Sequence, residues 1–255
     1  MLDYVIRLGK RAGEYLKEHH HDEIIIEHKG RIDLVTSIDR QIQCMIVSEI
    51  ERAFPDHAIL AEEGFRKKGN SPFTWVIDPL DGTNNFIHGI PFFCVSIAVL
   101  NDHEPYIGVC SNPLRRELFW AQKGRGSYRN GSRLHVSRTE RMIDSLIATG
   151  FPYDDDDIDR LMERFSCILR KARGIRRLGS AALDMCYVAA GSFDAFWEEG
   201  LKPWDMAAGE VIIREAGGMV TGLDGGPFDL YRGGIIASNA KLHEELRRCM
   251  DHDND

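Results

Sequence analysis

A chain of 255 residues that is 43% hydrophobic and 28% charged has the make-up of a soluble globular protein, long enough to bury a substantial core. Its net charge of −8 argues against a general nucleic-acid or anionic-membrane surface, leaving room only for local basic patches. Six cysteines (Cys44, Cys94, Cys110, Cys167, Cys186 and Cys249) form no CxxC pair and mostly lie in apolar runs, which indicates buried free thiols in a reducing compartment.

The N-terminus reads as an amphipathic helix and not as a targeting segment. Leu2, Val5, Ile6, Gly9, Ala12, Gly13 and Leu16 share one face, with Asp3, Arg7, Lys10, Glu14 and Lys17 opposite. No apolar run reaches the length of a membrane span, so a cytoplasmic location without membrane contact is expected. His19-His20-His21 closes this helix and reads as an exposed helix end. Ile38, Ile42, Met45, Ile46, Ile50 and Phe54 predict a second helix, opened by Thr36-x-x-Asp39 as a capping box with a short acid. Residues 58–61 predict a short strand running into Glu62-Glu63-Gly64, and Gly69-Asn70-Ser71-Pro72 a loop. Strands over 74–77, 92–100, 105–110 and 117–121 make a mainly antiparallel sheet that ends at an Asn130-Gly131 turn.

Beyond residue 140 the pattern changes to alternation. Strands are predicted at 145–149, 174–178, 195–197 and 235–237, and helices at 158–172, 181–190, 205–216 and 241–250. Segregated and then alternating elements predict an α+β fold of mixed α/β layers. It forms a single domain over 1–255, with an N-terminal lobe of 1–140 and a C-terminal lobe of 141–255.

The most informative segment is Asp78-Pro79-Leu80-Asp81-Gly82-Thr83-Asn84-Asn85-Phe86. Asp78 is expected to end a buried strand, because Pro79 removes a ladder donor and stops pairing there. Asp81 then falls in the loop beyond, and Gly82-Thr83-Asn84 opens a helix N-terminus. Two hard oxygen ligands beside backbone N–H groups suit a divalent metal together with phosphate. Glu62 and Glu63 point to opposite faces of an extended segment, so only one can join that site, and spacing leaves both open. Asp205, just before a helix, and Asp39 each read alone as N-cap residues. Taken together, Glu62, Asp78, Asp81 and Asp205 could hold two or more Mg²⁺ ions. Without cations so many carboxylates would repel one another. One metal would activate water while another stabilises the leaving oxygen, with the Gly82 and Thr83 amides receiving the phosphate.

These residues resemble, along essentially the whole chain, the inositol monophosphatase family of Mg²⁺-dependent, Li⁺-sensitive sugar phosphatases. The resemblance rests on Asp33-Leu34-Val35-Thr36, Ala61-Glu62-Glu63-Gly64, the 78–86 segment, Trp204-Asp205-Met206-Ala207-Ala208-Gly209 and Glu215-Ala216-Gly217-Gly218. It implies a five-layered αβαβα sandwich, a homodimer, and two or three Mg²⁺ ions per active site. The implied activity is hydrolysis of inositol 1-phosphate, or a related small sugar or polyol phosphate, by metal-activated water. By the same resemblance Glu62, Asp78 and the Leu80 carbonyl bind a first metal, Asp78, Asp81 and Asp205 a second, and Glu62 supports a weaker third. Thr83 paired with Asp39 orients the attacking water, and Gly82 and Thr83 hold phosphate through their amides. Asp81, Ala181, Glu198 and Asp205 contact substrate hydroxyls, Lys29 lies in a mobile loop near the metals, and Glu63 supports from behind.

Two substitutions depart from the family's usual residues: Asn84 stands where many relatives have Thr, and Leu80 replaces Ile, which is harmless if only its carbonyl binds. The acidic run 154–157 with Asp159 reads as a solvated helix start or as a rim that disfavours a second phosphate. Histidinol phosphate, fructose 1,6-bisphosphate and NADP are alternative substrates. A regulatory binding protein retaining the fold is the alternative of another class. Arg173, Arg176 and Arg177, with Arg115 and Arg116, would then be its partner patch, against a reading as locally ion-paired surface charge.

Overall fold

The structure, a computed structural model, describes residues 1–20, 26–28, 34–152 and 158–251. Lys29, Asp33, His21 and the acidic run 154–157 lie outside the described residues. Helices α1 (Leu2–Glu18) and α2 (Ser37–Ala53) flank a two-stranded antiparallel ribbon of β1 (Ile26–His28) and β2 (Leu34–Thr36), which the sequence pattern does not announce. The buried face of α1 comprises Val5, Leu8, Gly9, Ala12, Gly13 and Leu16, with the expected Leu2 and Ile6 partly buried against the same core and Leu8 added to it. The predicted capping box is present at α2: Thr36 Oγ1 accepts from the Ile38 and Asp39 amides, and Asp39 Oδ2 accepts from the Thr36 amide.

An eight-stranded sheet follows, built from β3 (Ala58–Ala61), β4 (Arg66–Lys67), β5 (Phe73–Asp81), β6 (Cys94–Asn101), β7 (Glu104–Asn112), β8 (Glu117–Gln122), β9 (Gly126–Arg129) and β10 (Ser132–Arg133). Its order is β10-β9-β8-β7-β6-β5-β3-β4, antiparallel except for the parallel β3–β5 pair. The short helix α3 (Thr83–Ile87) leaves the end of β5. Asn130 and Gly131 both adopt positive φ, 51° and 85°, as a two-residue hairpin turn between β9 and β10 requires.

The C-terminal half forms a five-stranded sheet in the order β12-β11-β13-β15-β14, from β11 (Leu146–Thr149), β12 (Gly174–Arg176), β13 (Ala195–Glu198), β14 (Met219–Thr221) and β15 (Ile235–Ser238). Its helices are α4 (Ile158–Lys171), α5 (Ala181–Ala189), α6 (Pro203–Glu215) and α7 (His243–Arg248).

Side-chain alternation along the strands sets the layer order. Trp75, Ile77, Val95, Ile97, Val99 and Val109 face α1 and α2 in one core, while Val76, Ala98, Leu100 and Cys110 face α5 and α6 in a second. That second core also takes Phe196, Ile235 and Ala237 from the other sheet, whereas Ala195, Trp197 and Ile236 turn outward to Leu161 and Ile168 of α4 and Leu242 and Leu246 of α7. The result is helices, sheet, helices, sheet, helices: a five-layered αβαβα sandwich. Among the described residues no helix is long and apolar enough to cross a membrane.

The central helices sit hard against the sheet. A Cβ on Gly108 of β7 would lie 2.4 Å from the Ala208 carbonyl oxygen of α6, a backbone neighbour that cannot swing aside. Gly108→Ala is therefore expected to destabilise the protein by about 1–3 kcal/mol through overpacking. Urea unfolding with an unchanged m-value is the check.

Three local expectations need correction. β5 does not stop at Asp78: Asp78 pairs with Ser96, the register shifts across Pro79 and Leu80, and Asp81 pairs again with Cys94. The sheet absorbs the missing proline donor as a bulge. α6 begins at Pro203, so Asp205 is its third residue and not its N-cap, in keeping with proline's fitness for the first helical position. Cys44 is exposed, unlike Cys94, Cys110 and Cys186, which are fully buried.

Candidate active site

The bulge at Pro79 shapes the first part of the site. Asp78 is 2% exposed, and its Oδ1 accepts from the Leu80 amide at 2.9 Å, closing a turn over the proline. Leu80 buries its side chain in the α1–α2 core. Its carbonyl accepts from Thr83 Oγ1 at 3.0 Å. Gly82, at φ 95°, caps α3 in the left-handed region, where a Cβ would also crowd the Phe92 and Gly179 carbonyls.

Asp39 reaches this turn from α2. Its Oδ2 is held by the Thr36 amide at 2.9 Å and by the Thr36 hydroxyl, while Oδ1 lies 3.4 Å from Thr83 Oγ1. One residue therefore both caps a helix and faces the site. Burial raises its pKa to about 6, against the opposing pull of the Thr36 hydrogen bonds.

Of the two neighbouring glutamates, Glu62 lines the cleft. Gln43 of α2 fixes Glu63 by donating to its carbonyl and accepting from its amide at 2.9 Å. Position therefore selects Glu62, where spacing could not.

From the other side α5 and α6 bring their N-termini to the same cleft. Ser180 caps α5, and Asp81 Oδ2 accepts from its hydroxyl at 2.5 Å and from the Ala182 amide at 2.9 Å. Ala181 lines the cleft as the first residue of α5. Asp205 Oδ2 accepts from the Lys202 amide at 2.6 Å, tying the carboxylate to the start of α6. Glu198 closes β13 against Gly150, where an added Cβ would strike the Glu198 carboxylate at 2.1 Å. Helix N-termini carry partial positive charge, so α5 and α6 favour an anion between them.

The enclosed volume is about 290 Å³, enough for a sugar-sized molecule. A larger hollow of about 1040 Å³ lies beside Arg214, Phe228 and Tyr231. Its cations are already paired, Arg214 with Glu210 and Lys123 with Glu104, whereas the clustered acids line the smaller cleft.

Electrostatics define what the cleft can do. Burial, followed by repulsion from Glu62, Asp81 and Asp205, holds Asp78 well above the usual carboxylate range. Burial and then Asp81 do the same to Asp205. Asp81 is raised to about 7, mainly by burial and against its two hydrogen bonds. Glu198 is raised to about 8 by burial, with Arg177 opposing. Among the described residues no three His, Cys, Asp or Glu side chains close into a ready-made metal cage. The acids instead face one another across the cleft with hard oxygen donors. Those are the donors that Mg²⁺ takes, together with water and substrate oxygens.

An acid-lined cleft between the two sheets of this five-layered fold has the hard-oxygen lining of a metal-assisted hydrolase. The profile described as the inositol monophosphatase family matches residues 1–251. The chain is 48% identical over 228 residues to an inositol-1-monophosphatase of Synechocystis, covering 88% of this chain and 79% of that protein. It is 43% identical over 254 residues to the Nus factor SuhB of Pseudomonas aeruginosa, covering 96% and 94%. The structure of the extragenic suppressor protein suhB from Bartonella henselae superposes with a TM-score of 0.95 at 38% identity, covering 99% of this chain and 98% of that one. The chain belongs to the inositol monophosphatase family.

Ser180, Asp184 and Arg177 also line the cleft and were not among the expected site residues. Ser180 had a usable signal, a serine directly before an apolar helix. Asp184, 1% exposed, is held well above the usual range by burial and then by Glu198, and its Oδ1 has no hydrogen-bond partner. Arg177 leaves the expected arginine patch: its guanidinium lies 5.9 Å over the Phe151 ring and pulls Glu198 and Asp184 toward ionisation. Arg173 and Arg115 instead pair locally, with Asp144 at 2.7 Å and Glu117 at 3.4 Å.

Proposed function

We propose that this protein is a Mg²⁺-dependent phosphomonoesterase that hydrolyses inositol 1-phosphate, or a related small polyol phosphate, to the alcohol and phosphate. The observation that carries the reading is the set of four carboxylates, Glu62, Asp78, Asp81 and Asp205, gathered at one cleft with Glu198 on its far wall. Glu62, Asp78, Asp81, Asp205 and the Leu80 carbonyl would hold two or three Mg²⁺ ions. All are oxygen donors, and the nearest thiol, Cys94, lies 3.8 Å from Asp81 but is fully buried. Bound Mg²⁺ supplies Lewis-acid polarisation of the phosphoryl group and lowers the pKa of water.

The chain's own groups supply the rest. Thr83 Oγ1 gives its proton to Leu80 O or Asp39 Oδ1 and so turns a lone pair outward, fit to accept from a water and aim it at phosphorus. The Gly82 and Thr83 amides receive the phosphate. Asp81, Asp205, Glu198 and the Ala181 backbone read the hydroxyls, and burial, which pushes Glu198 up to about 8 against Arg177, favours a carboxyl that both donates and accepts. Family membership further supports a cytoplasmic homodimer sensitive to Li⁺, with lobes of 1–140 and 141–255 in one domain.

Thr83→Ala is expected to lower kcat by roughly 10²–10³-fold with little change in KM. Thr83→Ser, which restores the hydroxyl, should recover most of the rate. Steady-state kinetics on both variants decide the point, and equal kcat for Ala and wild type would remove Thr83 from water activation.

The relative named Nus factor SuhB motivates a second reading, a regulatory binding protein that retains the fold. Phosphate release from inositol 1-phosphate, histidinol phosphate, fructose 1,6-bisphosphate and NADP, with and without Mg²⁺, separates the readings. The expected result is the highest kcat/KM for inositol 1-phosphate and no turnover without metal. A higher value for another ester replaces the substrate, and no release from any of them favours the binding protein.

A further inference from the structure

The outer helical layer of the C-terminal half holds a pair of thiols that catalysis does not use. Cys167 lies on α4 and Cys249 immediately after α7, 82 positions apart in sequence, yet their sulfurs are 2.6 Å apart. Cys249 is 3% exposed, whereas Cys167 is half-buried and borders a shallow surface groove with Ser166, Arg170 and Lys171. Lys171, one helical turn beyond Cys167, interacts with both sulfurs. An accessible thiol with a cation beside it and a second thiol behind it is the arrangement of a redox-sensitive pair.

We propose that Cys167 and Cys249 form a reversible disulfide when the protein meets a hydroperoxide. The Cys167 thiolate attacks the outer peroxide oxygen, breaking the O–O bond to give a sulfenic acid and release water or alcohol. The Cys249 sulfur then displaces the sulfenic oxygen as water, forming the S–S bond. Two thiols and one hydroperoxide become one disulfide, one water and one alcohol (a second water for hydrogen peroxide itself). The two electrons lost by sulfur reduce the peroxide. Cys167 is the more exposed of the two sulfurs and so the one a hydroperoxide reaches first, while burial pushes the Cys249 thiol up to about 12, against the pull of Lys171. The other cysteines are poorly placed: Cys94, Cys110 and Cys186 are closed to solvent, and Cys44 is exposed on the distant α2.

The bond would reinforce an existing junction. Arg164, one turn before Cys167, donates Nε to the Met250 carbonyl at 3.2 Å and Nη1 to Glu199 Oε2 at 2.7 Å. Glu199 lines the cleft next to Glu198. A crosslink here fastens the chain's C-terminal turn to the helix that braces one wall of the site, and it closes a long loop in the unfolded chain.

The test is peptide mapping by mass spectrometry, without and with reductant, after treating the full-length protein with hydrogen peroxide. The expected result is a peptide pair joined through Cys167 and Cys249. The treated protein should melt about 5–10 °C higher, and dithiothreitol should reverse this. Cys249→Ser should abolish both the joined peptide and the rise while leaving the activity of the reduced enzyme unchanged. Cys167→Ser provides the same test from the more exposed position should the buried change impair folding. The absence of the joined peptide, or a rise in melting temperature that survives either substitution, overturns the proposal.

Discussion

Asp81→Asn is expected to lower Mg²⁺-supported phosphate release by roughly 10³-fold without unfolding the protein. Asp81 stands where the two sheets' elements meet: it ends β5, pairs with Cys94, and accepts from Ser180 and Ala182 at the start of α5. The asparagine amide oxygen can keep both of those hydrogen bonds, so the scaffold survives. What disappears is the negative charge, and burial already holds that carboxyl at about 7. A neutral amide therefore removes a buried charge that costs stability in metal-free protein at alkaline pH. Melting in chelator at pH 8 should be unchanged or higher than wild type, while turnover collapses. This split separates a functional role from a structural one. Unchanged phosphate release would remove Asp81 from the metal set, and parallel loss of activity and melting temperature would make it a structural residue.

The same residue shows why part of the site is legible in sequence and part is not. Asp78, Leu80, Asp81, Gly82 and Thr83 are joined by a single turn, so their chemistry is written in their spacing. Ser180 is 99 positions from Asp81 and reaches it only because β11 and β13 lie side by side and place α5 over the cleft. Arg177 and Asp184 arrive by the same route, which composition and periodicity do not encode. Glu62 and Glu63 were equivalent in spacing, and Gln43, on a different helix, makes the choice by holding Glu63. The layer order was better encoded, since period-two alternation from Trp75 to Ile77 and from Ala195 to Trp197 sorts side chains into different cores. Two of the misplaced boundaries, at Pro79 and Pro203, fall at prolines. One sits in a bulge that the neighbouring strand tolerates, and the other occupies a first helical turn that needs no amide donor.

Stability should depend on pH in the sense opposite to that of a salt-bridged acid. In chelator, wild-type protein is expected to lose stability steadily from pH 5 to pH 8, with a fall in melting temperature of about 5–10 °C. The sign follows from three carboxyls: Asp39 at about 6, Asp81 at about 7 and Glu198 at about 8 in the folded protein, against ordinary values of 3.8, 3.8 and 4.5. Between each pair of values the folded state binds more protons than the unfolded chain, so raising the pH favours unfolding. Each group's contribution is complete below its unfolded pKa and is lost as pH rises through its folded one. At the proposed site Mg²⁺ would compete with protons for the same oxygens, so its stabilising effect should be small at pH 5 and large at pH 8. Glu198→Gln removes the group with the highest of these values and should flatten the upper part of the slope. Because Glu198 lines the cleft and is proposed to read the substrate's hydroxyls, the variant should also raise KM more than it lowers kcat. Differential scanning fluorimetry across pH, with chelator and with Mg²⁺, measures the linkage directly. A melting temperature that stays level or rises with pH in chelator would mean that these carboxyls ionise in the fold at no cost, and the electrostatic case for a cation-demanding cleft would fail with it.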